Sequence, residues 1–423
     1  MDALPEAMVQ YILSNMKNAR DVATCNCVSK RWKDLTPFIR SLYFPRNSFD
    51  DLENNGVNNP DLIISQLIST IVRLEELVVY CPFTVNGLAE WLSMASSKHL
   101  RHLELRMDNL NDKGVAAMQS PSKLDCVDLV RSLESLKLWG VLMNQSPKWS
   151  GFEKLGVLEI VGAKLKDGSL SDAIRACPNL RNLSLLGCDG VRSVSFELEQ
   201  LVQCRLDFYG LGNCSLYMKS PKIEELEVQG CSWIQVNQTH CLKTLSISNN
   251  AGRVYKVDLG KLPCLDFLSI RGVQWCWEAV SSILQCANEV KHLVMKIEFT
   301  GDYDALQPFP EIDLVNFFHS HPKLARFEIH GAMFAALCQK NSLRSVDSSF
   351  IIPNLEEVLI TVRSPLNAEQ KMNTLESLLK YGKNLKRMVI RILQMKNSHN
   401  SADDFFEEIC RLRYMNHRIV HIE

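Results

Sequence analysis

The chain has 423 residues, 46% of them apolar and 22% charged, and its 47 basic and 48 acidic side chains leave a net charge of -1. That balance argues against a protein that coats nucleic acid or lies on an anionic membrane, and the composition is that of a packed globule, not a disordered segment. No apolar run approaches the ~18 residues of a membrane span, and residues 1–20 lack the basic-then-apolar order of a secretory signal, so none is expected. The 15 cysteines, an odd number with no C-x-x-C, are therefore expected as reduced thiols of a cytoplasmic and/or nuclear protein, with no zinc or dithiol motif.

Residues 1–44 read as three short helices. Pro5 suits the first turn of one, with Met8, Tyr11, Ile12 and Met16 as its apolar stripe. Asp21 opens a second, which carries Val22, Cys25 and Val28. A third runs from Lys30 to Leu35 with Trp32 and Leu35 on one face, and Pro37 ends it. A polar, Asn-rich loop over 46–60 follows.

From Leu74 onward the spacing apolar-x-x-apolar-x-apolar repeats, as in Leu74/Leu77/Val79, Leu100/Leu103/Leu105 and Leu133/Leu136/Leu138, and ends at Leu385/Met388/Ile390. A degraded copy lies at Leu206-x-Phe208. The thirteen units step by about 26 residues on average, inside the window of leucine-rich repeats. Leu180–Cys188, Ile223–Cys231 and Leu242–Asn250 extend to the longer signature, whose closing Cys or Asn turns the chain out of the strand. Alternate residues of each short strand point to opposite faces, so the leucines face inward and stacked units bury one continuous core. Asp172–Cys177, Trp277–Ala287, Leu314–His319 and Glu369–Tyr381 carry helical spacing between strands. Pro178, Pro221, Pro263, Pro322 and Pro353 each fall two residues before a strand's first apolar position. The inserts Asp108–Asp128 and Phe299–Pro310 read as loops, and repeat boundaries in 190–222 stay open. Residues 403–417 read as an amphipathic helix capping the far end.

The N-terminal residues Leu4-Pro5-Glu6, Ile12-Leu13 and Val28-Ser29-Lys30-Arg31-Trp32 resemble an F-box, in order and at family spacing. An F-box followed by leucine-rich repeats resembles the plant-like F-box/leucine-rich-repeat proteins. The resemblance implies a mixed α/β fold: a three-helix F-box over 1–45, a linker and start of the solenoid over 46–66, repeats over 67–396 and a cap over 397–423. The solenoid is expected to be curved, with parallel strands on its concave face and helices on its convex face. The family implies docking on a Skp-type adaptor, and through it a cullin, with the repeats recruiting a protein substrate for ubiquitination. Leu4, Pro5, Ile12, Leu13, Val28 and Trp32 match the motif's apolar positions, divided in an unsettled way between the adaptor and the F-box interior; Trp32 is the anchor by residue type.

Outward strand positions give Tyr80, Arg106, Trp139, Tyr209, Arg271, Lys296, His330 and Arg391 as substrate-binding candidates, with a basic tendency in the C-terminal half. No catalytic motif stands out, no cysteine is marked as a thioester nucleophile, and His319-Ser-His321 is expected in a solvated turn, not a metal site. The expectation is a non-enzymatic specificity subunit without cofactor, acting by proximity. Two alternatives stay open: a repeat scaffold whose first helices are only a cap, and a small-molecule or inositol-phosphate sensor in the concave face.

Overall fold

The computed structural model describes residues 4–49, 60–107, 124–298, 312–339, 350–363, 367–393 and 400–423, and the chain divides into two compact units, Met1–Leu201 and Val202–Glu423. Most of the polar loop at 46–60 and of the insert at Asp108–Asp128, and all of the insert at Phe299–Pro310, lie outside the described residues.

The first unit opens with helices α1 (Glu6–Asn15), α2 (Ala19–Asn26) and α3 (Lys30–Leu35). Asn18 caps α2 by accepting from the Arg20 N–H at 3.0 Å, and Ser29 caps α3 by accepting from the Trp32 N–H. Val9, Leu13, Val22, Cys25, Trp32, Leu35 and Ile39 form the interior. This corrects the helical phase read from the sequence. Val9 and Leu13, four residues apart, face inward, whereas Met8 and Tyr11 are exposed.

Strands β1 (Ser41–Phe44), β2 (Glu76–Val79), β3 (His102–Arg106), β4 (Ser135–Trp139), β5 (Leu142–Met143), β6 (Val157–Val161), β7 (Lys164–Leu165), β8 (Asn182–Cys188) and β9 (Ser193–Glu197) follow. In the main ladder β1, β2, β3, β4, β6 and β8 are parallel neighbours, in register through Leu42, Leu77, Leu103, Leu136, Leu158 and Leu183. All six leucines are buried. A Leu-x-Leu strand therefore stacks its leucines flank to flank, and burial of each contributes about 1.5–3 kcal/mol. Helices α4 (Pro60–Thr70), α5 (Val85–Ser96) and α6 (Asp167–Arg175) fill the connections. Lys98 closes the end of α4 by donating to the carbonyls of Ile68 (2.6 Å), Ser69 (2.9 Å) and Ile71 (2.5 Å).

The second unit holds β10 (Gln203–Phe208), β11 (Cys214–Lys219), β12 (Glu225–Gln229), β13 (Cys231–Asn237), β14 (Thr244–Asn249), β15 (Lys256–Asp258), β16 (Phe267–Gly272), β17 (His292–Ile297), β18 (Arg326–His330), β19 (Glu357–Val362), β20 (Arg387–Ile392) and β21 (Val420–Ile422). Its ladder runs β10, β12, β14, β16 to β21, all parallel, in register through Cys204, Leu226, Leu245, Leu268, Leu293, Phe327, Val358, Met388 and Val420. The helices are α7 (Trp277–Cys286), α8 (Leu314–Ser320), α9 (Gly331–Gln339), α10 (Ala368–Tyr381) and α11 (Asn400–Met415). Turn asparagines tie successive turns: Asn354 donates to the Pro322 carbonyl at 2.8 Å and Asn384 to that of Pro353 at 2.5 Å.

Two expectations need correction. Behind the ladder between β10 and β16 the second layer is not helical; β11, β13 and β15 pair with one another there. Only 19 residues separate Ile223 from Leu242, which leaves room for a short strand and two turns but not for a helix with its loops. The first unit's ladder also begins with a copy of the repeat spacing that the sequence reading missed, Ile39/Leu42/Phe44, and the second unit's ends with a strand that lacks its first position. β1 lies inside the segment read as 1–45, and β21 inside the segment read as the cap, where His417 stands in place of the first apolar residue.

Candidate functional site

The N-terminal bundle leaves apolar side chains on its outside. Of the six residues singled out there, Pro5 and Val28 are exposed, Leu4 and Ile12 are partly buried against the interior, and Leu13 and Trp32 are closed inside it. Trp32, expected as the anchor, is only 6% exposed and holds the bundle together instead. Met8, Tyr11 and Phe38, which the motif did not mark, are 49%, 67% and 59% exposed. Met8 and Tyr11 are three residues apart and so neighbours on α1. Tyr11 and Phe38 line one groove with Leu35, Val72 and Arg73.

The outward face of the first ladder brings Tyr80 and Trp139 together. Their rings meet at 6.5 Å and 72°, and Tyr43 meets Tyr80 edge-on at 5.6 Å. Both converge on Glu104 of β3: Trp139 Nε1 donates to its Oε1 at 2.9 Å, and the Tyr80 hydroxyl donates to the same oxygen. Burial and the Glu104 carboxylate push the Tyr80 hydroxyl well above its ordinary range. Arg106 lies in register with Trp139. Glu104 was not among the sequence candidates, because only cross-strand register brings it under the two rings.

In the second unit Arg271 and Lys296 are in register on β16 and β17. Arg271 Nε donates to Ser269 Oγ at 3.0 Å. Lys296 pairs with Glu328 Oε1 at 2.6 Å, and His330 Nε2 meets the same oxygen at 3.2 Å. Burial works to raise the Glu328 carboxyl, but Lys296 and His330 outweigh it and hold the group below its ordinary value. Arg391 pairs with Glu423 at 2.8 Å. The basic tendency expected of this half is thus matched locally by acids, and the sequence reading missed Glu328 and Glu423. Tyr209 stands beyond the end of β10, 65% exposed.

His321 also departs from expectation. It is 4% exposed, not solvated, with Nδ1 at 2.8 Å from the Phe317 carbonyl and Nε2 at 3.1 Å from that of Leu284. Burial lowers its pKa against the pull of the two carbonyls. All 15 cysteines are free, eight of them buried. The signature residue Cys188 is among these, with Sγ near the carbonyls of Ile160 and Leu186. Among the described residues, no group of three or more His, Cys, Asp or Glu could hold a metal ion, and no helix is long and apolar enough to cross a membrane.

Residues 88–245 match the family described as the LRR repeats of FBD-associated F-box protein At5g56370. F-box protein At1g10780 of Arabidopsis thaliana is 61% identical over 423 residues, covering 100% of both chains. The chain belongs to the plant F-box/leucine-rich-repeat proteins. F-box/LRR-repeat protein At1g67190 of the same plant is 22% identical over 239 residues, 55% of either chain. Within this F-box/leucine-rich-repeat protein, the matched repeats over 88–245 take in strands of both ladders.

Proposed function

We propose that this F-box/leucine-rich-repeat protein is the substrate-recognition subunit of an SCF-type ubiquitin ligase. In this reading the outer face of the F-box helices docks on a Skp-type adaptor, and the outward strand face of the repeats recruits a protein substrate. The observation that carries it is the split within the bundle: Trp32 and Leu13 are interior, while Pro5, Met8, Tyr11, Val28 and Phe38 put apolar surface into solvent. A cap that only shields the end of a repeat stack presents a polar outer face. These helices set Met8, Tyr11, Val28 and Phe38 among their exposed polar residues, apolar surface that suits burial against a partner helix.

The role is non-catalytic. Holding a substrate beside an activated ubiquitin turns a bimolecular encounter into an effectively intramolecular one, and the subunit supplies position alone. The test is co-expression of the full chain with a Skp-type adaptor, followed by size-exclusion chromatography. A stoichiometric complex, and a higher soluble yield than the chain gives alone, is the expected result. An adaptor that elutes separately while the chain stays soluble would overturn the reading and leave a repeat scaffold.

A further inference from the structure

We infer that the Tyr43–Tyr80–Trp139 cluster around Glu104 is the anchor site for a basic side chain presented by a polypeptide substrate. The inference rests on the substrate-recruiting reading of the strand face and names what that face selects.

The carboxylates of this face are managed in two ways. Glu76 pairs with Lys17 at 2.8 Å, and Glu159 pairs with Lys137 at 3.1 Å. Glu104 lies between Val78 and Lys137 in register, yet its hydrogen bonds are to the neutral donors Tyr80 and Trp139, both on Oε1. Among the described residues, nothing donates to Oε2. A carboxylate offers about four lone-pair sites on two oxygens. One oxygen is therefore fixed by the protein's own rings and the other is left for an incoming donor.

The surroundings favour a cation as that donor. Two partly exposed rings, Tyr80 and Trp139, meet at the carboxylate with Tyr43 against Tyr80, and the negative face of an aromatic ring attracts ammonium and guanidinium groups. A groove of about 160 Å³, lined by Glu76, Val78, His102, Glu104, Ser135 and Lys137 and not by the rings, reaches Glu104 and has room for one long side chain. Lys137 is turned to Glu159 and does not fill it. The face already seats an ammonium in the same manner, where Lys17 lies on Glu76. Arg106 beside Tyr80 opposes a second positive charge, so the site suits one base in a segment, not a basic run. Trp and Tyr are also the residue types that dominate interface energetics.

The test is selection of a random dodecapeptide phage library on the full chain, co-purified with its adaptor where they associate. Arginine or lysine at one fixed consensus position is the expected outcome, and the library distinguishes the two. The consensus peptide, labelled and followed by fluorescence anisotropy, should bind Glu104→Gln about tenfold more weakly, equivalent to 1.4 kcal/mol. It should bind the exposed control Glu90→Gln as it binds the wild type, although both variants lose the same charge. Tyr43→Leu, which keeps apolar bulk and removes a ring, should also bind more weakly. Melting temperatures of all variants establish that they are folded. A consensus without a basic residue, or equal affinity for wild type and Glu104→Gln, would overturn the proposal. Adaptor association, read on the same preparations, separates this outcome from failure of the ligase reading, since peptide selection needs no adaptor.

Discussion

Asn249 and Gly212 lie 37 residues apart in the chain and meet at 2.7 Å, the fully buried Nδ2 donating to the glycine carbonyl. The same side chain donates to the Cys231 carbonyl at 3.1 Å and accepts from the Gly252 N–H at 2.8 Å. One asparagine thus satisfies backbone groups of several turns where the strand ends. Gly212 has φ +61°, and a Cβ on it would collide with Asn249 Oδ1. Asn249→Ala leaves the Gly212 carbonyl to Ser232 Oγ alone (2.7 Å) and removes the asparagine's bonds to the Cys231 carbonyl and the Gly252 N–H, and should cost about 1–3 kcal/mol in urea unfolding. A loss below about 0.5 kcal/mol would show that water replaces these bonds.

Stability should fall on acidification through the histidines of the second unit. The pKa values of His292, His321 and His330 are lowered from 6.5, in each case chiefly by burial. Between the lowered folded value and 6.5 the unfolded chain binds more protons, so stability rises with pH across that window and is lost as pH falls through it. Neutral imidazole has a single N–H, so His321 donates to only one of its two carbonyl neighbours. Melting curves from pH 7.5 to 5 should show a falling midpoint. The slope should be shallower in His321→Gln, whose amide retains a donor without titrating.

The thiols sort by burial. Cys27, Cys241 and Cys264 are exposed and should react first with an aromatic disulfide reagent. Burial pushes the thiols of Cys81, Cys177 and Cys338 up to about 12, so these should react only as the chain opens. Rapid native titration of Cys177 would contradict its placement in the core.

How much of this was legible in the sequence depends on whether local spacing or cross-strand register decides the feature. Leu77, Leu103 and Leu136 announce the ladder because each strand must turn its leucines to the same core. β21 escaped notice because it lacks the first apolar position, and β1 because its Ile39/Leu42/Phe44 follow directly on the helical segment. The second-layer strands β11 and β13 read poorly because short apolar runs suit either strand or helix. In α1 the phase was ambiguous for a different reason. Its apolar residues spread from the interior (Val9, Leu13) round to solvent (Met8, Tyr11), so the apolar stripe alone is too wide to fix its rotation. Glu104 and Glu328 look like any exposed strand acid until register sets them beside Trp139 and Lys296.

The bundle's two layers should separate under mutation. Trp32→Ala removes an interior ring and should cost about 3–5 kcal/mol, enough to unfold so small a core. The exposed pair Met8→Glu with Tyr11→Glu should shift stability by no more than about 0.5 kcal/mol per site.

The central claim is therefore tested most directly by adaptor affinity in the full chain carrying Met8→Glu and Tyr11→Glu, measured beside the wild type with circular dichroism of both. The account predicts a chain that folds like the wild type and loses at least about a hundredfold in adaptor affinity, since two desolvated apolar contacts become charges. A folded double variant that binds the adaptor as the wild type does would contradict it.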